Sequence, residues 1–65
     1  MGEIMLDYDI YAYDNEYHKE LLYTANDKEF AECLSNVLTD LVKTGHLVMS
    51  NGAKVNFISV EHEED

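Results

Sequence analysis

The chain has 65 residues, of which 14 are Asp or Glu and only 4 are Lys, with no Arg, so its formal net charge is -10. That length holds one domain, and the charge disfavours direct contact with nucleic acid or with an anionic membrane, because both need Lys and Arg opposite phosphate. Cys33 is the only cysteine, which rules out an intrachain disulfide and fits a reducing, cytoplasmic setting. Residues 1–5 carry an acid and no basic cluster, unlike a signal peptide, and no apolar run approaches a membrane span. A chain this short buries only about 60% of its unfolded surface. With no disulfide and no visible metal framework, self-association as a homodimer is the expected source of added stability.

Residues 4–13 and 16–25 read as a β-hairpin. Residues 4–13 alternate and are rich in Ile and Tyr, and Asp14-Asn15 before the second run tolerates the left-handed backbone of a tight turn. A two-residue turn pairs Tyr13 with Glu16, Tyr11 with His18, Asp9 with Glu20 and Asp7 with Leu22. The opposite face then pairs Ala12 with Tyr17, Ile10 with Lys19, Tyr8 with Leu21 and Leu6 with Tyr23. This register separates apolar from polar side chains, and a slip of one residue would mix them.

A helix is predicted from about 27 to 44. Asn26 is placed to cap it, and Glu29 has the capping-box spacing. Phe30, Leu34, Val37, Leu38 and Leu41 form one apolar stripe. Gly45 follows as the expected C-terminal stop, with Lys43 in the last turn. Two short strands follow, at about 46–49 and 53–60, around Ser50-Asn51-Gly52-Ala53, a strong hairpin signal. The expected architecture is α+β: ββαββ, a small antiparallel sheet with one helix packed across one face. Residues 1–60 form the domain and 61–65 an acidic tail.

The wet face of the first hairpin is the candidate partner-binding site: Asp7, Asp9, Tyr11, Tyr13, Glu16, His18, Glu20 and Leu22. Same-face neighbours along a strand lie about 6.6 Å apart, and cross-strand neighbours about 5 Å. Carboxylates at such spacings can stand in for phosphates, and tyrosine rings for bases. Asp9 opposite Glu20 would be a destabilising like-charge pair, which hints at a role other than stability. Solubility and protection of sheet edges are the plainer explanations for the same acids.

Other chemistry is poorly represented. Asp7-Tyr8-Asp9 resembles the start of a calcium loop, but the required Gly and Glu positions hold Ala12 and His18. His18, His46 and His62 lack zinc-ligand spacing. Cys33, beside Leu34 and near Glu29 and Glu32, reads as a buried, inert thiol. No catalytic arrangement, cofactor motif or phosphate loop is present, so no enzyme is expected.

The sequence therefore points to a small acidic protein-binding module. The favoured role is a nucleic-acid-mimicking inhibitor of the phage anti-defence type. It would occupy the basic site of a nuclease, CRISPR effector or DNA-repair enzyme, within the host cell if phage-encoded. The alternatives are an antitoxin-like or regulatory partner that binds by apolar contacts, and a self-associating structural protein.

Overall fold

The first strand alternates apolar and polar residues with period two, and this alternation sets the whole arrangement. In a computed structural model that describes residues 7–62, β1 runs Tyr8–Tyr13, β2 Lys19–Ala25, helix α1 Lys28–Lys43 and β3 Phe57–His62. The three strands form one open antiparallel sheet in the order β2-β1-β3. Ile10 and Ala12 on β1 are fully buried beneath the elements that cover one sheet face. The sheet with one helix across it is the expected α+β architecture. Residues 4–6 of the expected first strand and Glu63, Glu64 and Asp65 of the expected tail lie outside the described residues, whereas Glu61 and His62 belong to β3.

The core has two joined parts. Ile10, Ala25 and Ala31 are buried together, with Tyr8, Leu34, Leu38, Ile58 and Val60 packed around them. Ala12, Met49 and Val55 form the second part, with Leu22, Val42 and Leu47 around them, and Ile58 touches both. The helix thus covers one half of the sheet, and the segment after it covers the other.

Helix α1 starts at Asp27 rather than Asn26. The Asp27 side chain accepts the Glu29 backbone N–H at 3.4 Å, and its carbonyl accepts from Ala31 at 3.0 Å, as a cap should. At the other end Gly45 has φ +77°. Its N–H bonds to Val42 O, and the His46 N–H to Leu41 O, which is the Schellman arrangement. His46 also bonds through Nδ1 to Thr44 Oγ1 at 2.8 Å. The residues that face the sheet are Ala31, Leu34, Leu38 and Val42. Phe30, Val37 and Leu41 of the expected stripe are exposed, and so is Cys33, contrary to its expected burial. Small Ala31 allows the helix to approach the sheet along a line rotated away from the bulkier residues.

The second hairpin is shorter than expected. Asn51-Gly52 does form a turn: Gly52 has φ +88°, its N–H bonds to Met49 O, and the Asn51 side chain accepts from Ala53. Its arms, however, meet in one isolated bridge, Val48 to Lys54. Residues 46–49 are not a strand, because the last strand takes its partner from β1 instead. Met49 and Val55 serve as core plugs rather than ladder members.

Ile10 is the one large side chain buried almost completely among the described residues. Ile10→Ala is expected to cost about 2 to 5 kcal/mol, a large part of the stability of a domain this small. Urea unfolding would show a much lower midpoint, or no folded baseline at all.

Candidate functional site

The β1–β2 register differs from the one the sequence suggested, and this rearranges the candidate site. Five residues, 14–18, separate the strands, so Tyr13 lies opposite Lys19, Ala12 opposite Glu20 and Tyr11 opposite Leu21. A loop longer by an odd number of residues exchanges the two faces of β2. Glu20 therefore sits on the covered side, where its Oε1 accepts the Ser50 backbone N–H at 2.9 Å. A bulge between Ile10 and Tyr11 then leaves Leu22 without a partner on β1. Leu22 packs on the core around Ala12 and Met49, while Tyr23 meets the ring of Phe30 on the helix at 5.8 Å. The bulge thus turns two consecutive side chains toward the covered side. The expected wet-face positions of Glu20 and Leu22, and the Asp9–Glu20 pair, are corrected accordingly.

Asp14 causes the longer loop. Its side chain is nearly buried and accepts the backbone N–H groups of Glu16 at 2.8 Å and His18 at 2.9 Å. Its own N–H bonds to His18 O, and its carbonyl accepts from Tyr17. Burial alone would push this carboxyl up, but the two N–H donors and the adjacent His18 ring outweigh it and hold it below its usual value. Tyr17 completes the loop with φ +63°, a conformation that costs a non-glycine residue on the order of 1 kcal/mol. Glu16 and His18 lie in this loop, exposed, rather than on strand faces. Asp14, Glu16 and His18 could each present one metal-ligand atom within 4.8 Å of the others. Asp14 already spends its carboxylate on the loop.

Asp9, Tyr11 and Tyr13 do share the sheet face opposite the helix. Their neighbours there are Lys19, Leu21 and Thr24 on β2 and Phe57, Ser59 and Glu61 on β3. Among the described residues nothing covers this face. Tyr13 and Phe57 stack almost parallel, 4.7 Å between centroids and 6° between planes. Tyr17 meets the edge of Phe57 at 6.4 Å, and Lys19 Nζ stands 4.4 Å from the centre of the Tyr11 ring. Asp9 lies directly opposite Glu61, so a like-charge pair exists, but across β1 and β3. The two carboxylates turn apart. Asp9 accepts from Thr24 Oγ1 at 3.0 Å, whereas Glu61 accepts from the Tyr13 hydroxyl at 2.5 Å and from Lys19 at 3.4 Å.

These contacts bias the ionisation of Glu61, Tyr13 and Lys19. The Tyr13 hydroxyl, and to a lesser degree Lys19, hold Glu61 below its usual value against the opposing effect of burial. The hydrogen bond to Glu61 raises Tyr13, as does burial, and the same carboxylate raises Lys19. Asp7 precedes β1 and lines a cleft of about 490 Å³ with Tyr23, Thr24, Asp27 and Phe30.

Sequence reasoning missed Phe57, Leu21, Tyr17 and Glu61 as members of this surface. Tyr17 and Leu21 were assigned to the covered side by the wrong register, and the pairing of β3 with β1 has no local signal. No protein-family model, curated protein or solved structure matches this chain. No helix among the described residues is long and apolar enough to cross a membrane.

The lowered Glu61 and Asp14 values contribute to the acid limb of stability. Each folded-state value lies below the unfolded one, so the stabilisation is present above the ordinary carboxylate range and is lost as pH falls through and below it. Raised Tyr13 and Lys19 act in the opposite sense: their contribution is present below about pH 10 and is lost as pH rises through their folded values. Glu61→Gln is expected to flatten both limbs, and Asp14→Asn only the acid limb. Thermal melts from pH 2 to 11 would check this, and unchanged limbs in Glu61→Gln would refute the network.

Proposed function

We propose that the chain is a protein-binding module without catalytic activity, and that its open sheet face docks on the basic nucleic-acid site of a partner. The role envisaged is inhibition of a nuclease, CRISPR effector or DNA-repair enzyme, of the phage anti-defence type. The observation that carries this reading is the uncovered aromatic surface of Tyr11, Tyr13, Phe57 and Tyr17 on a chain of net charge -10. Tyrosine is enriched in protein interfaces, and flat rings can occupy places where bases would stack.

Tyr17 adds to the argument. It holds a left-handed backbone and leaves its ring 73% exposed beside Phe57. Asn or Gly would fit that backbone better, so its presence favours a use outside the fold. Register leaves fewer acids on this face than the sequence suggested, and Lys19 offsets one of them. The binding energy is therefore assigned to the aromatic rings, with the net charge steering encounter with a basic partner.

The test is affinity capture from nuclease-treated lysate, followed by elution with duplex DNA. A basic nucleic-acid-binding protein released by DNA is the expected result. Tyr17→Ala and Tyr11→Ala should each weaken its capture by about tenfold or more, as interface anchors do. A captured protein that DNA does not displace, or one indifferent to both substitutions, would reject the reading.

A further inference from the structure

The helix carries more apolar surface than the sheet uses. Phe30, Val37 and Leu41 recur at i, i+7 and i+11, which places them in one row on a helix of 3.6 residues per turn. All three are exposed, Val37 by 58%. Exposed Cys33 fills the gap in the row. The Tyr23 ring, packed edge-on against Phe30, extends the row onto β2. A continuous apolar strip of this kind, rimmed by polar residues, marks an interaction surface rather than ordinary exposed hydrophobics. Its spacing is that of a helix that receives another helix.

The rim says what kind of helix. By helical periodicity Asp40 and Glu29 border the row on its solvent side, and both are exposed. Lys43 and Lys28 lie further round. At the Phe30 end the strip opens into the cleft of about 490 Å³ where Asp7 and Asp27 stand beside the Tyr23 and Phe30 rings. Carboxylates next to aromatic faces suit a Lys or Arg side chain, through charge pairing and cation–π contact. A second copy of this chain fits poorly, because it would bring its own Glu29, Asp40 and net charge of -10 against the same row.

We propose that the strip Phe30-Cys33-Val37-Leu41, with Tyr23, is a second docking surface, and that its occupant is a basic amphipathic helix of a partner protein. The apolar side of that helix would lie on the strip. Its flanking cations would face Glu29 and Asp40, and one of them would enter the cleft by Asp7 and Asp27. This surface is on the covered side of the sheet, away from Tyr11 and Phe57, so it does not depend on the reading of the open face.

The probe is a capped helical peptide of about 18 residues with Leu at i, i+3, i+4 and i+7 spacing and Lys elsewhere. The control has the same composition with the leucines spread round the helix. Titration at about 150 mM salt limits unspecific charge attraction. The patterned peptide is expected to bind about tenfold or more tightly than the control, and to slow alkylation of Cys33. Val37→Asp should remove the preference even though it adds negative charge. Glu29→Lys combined with Asp40→Lys should weaken the patterned peptide, while Tyr11→Ala should leave it unchanged. Equal binding of the two peptides, or full binding by Val37→Asp that retains the parental circular dichroism, would overturn the proposal. So would a dimer in sedimentation whose Cys33 is already shielded without peptide, since a second copy would then hold the strip.

Discussion

The strict alternation of β1 is the constraint on which the rest of the structure depends. Ile10 and Ala12 point to one side and are sealed there by two different covers, the helix and the Met49–Val55 segment. Asp9, Tyr11 and Tyr13 consequently point to the other. Because β1 is the middle strand, it offers hydrogen bonds on both edges and side chains to both halves of the core. A one-residue slip on either side would turn Ile10 toward solvent or bring the carboxylate of Asp9 beneath the helix.

The two surfaces left after folding have different physical characters. The open sheet face is a mixed surface, with rings stacked on one another and a Tyr13–Glu61–Lys19 network across all three strands. Its charges are largely satisfied from within, so its contacts with another molecule rest on shape and on flat aromatic area. The helix row is simpler: aliphatic and aromatic side chains bordered by the carboxylates of Glu29 and Asp40. A protein of this size gives up few residues to its interior, and among the described residues the large exposed hydrophobics other than Val48 fall in these two places.

Local chemistry in the sequence was legible where one short stretch decides the outcome. Gly45 stopping the helix, the Asn51-Gly52 turn and the apolar line through Leu34 and Leu38 all follow from neighbouring residues alone. The first hairpin was misread because its register depends on loop length, and the loop depends on Asp14 accepting two backbone N–H groups in place of a tight turn. That single carboxylate moved Glu20 and Leu22 off the candidate face and brought Leu21 and Lys19 onto it. The bulge after Ile10 was equally hidden, since it answers to packing of Leu22 and Tyr23 rather than to any turn residue. Asp9, Tyr11 and Tyr13 keep the shared face expected of them because they all lie on β1, whose own period does not depend on its partners. Phe57 and Glu61 could only be found through strand order.

The order β2-β1-β3 also has a consequence for the history of each molecule. The β1–β2 hairpin is local along the chain, whereas the helix rests more on β3 than on β1 or β2. The pairing of Tyr8 with His62 spans nearly the whole described length, and contacts of such separation form late and slowly. Until residues 57–62 arrive, one edge of β1 presents unpaired N–H and C=O groups to any passing strand. A nascent or thermally opened molecule is therefore vulnerable at this edge, and the acids that crowd the chain act there as mutual repellents between immature copies.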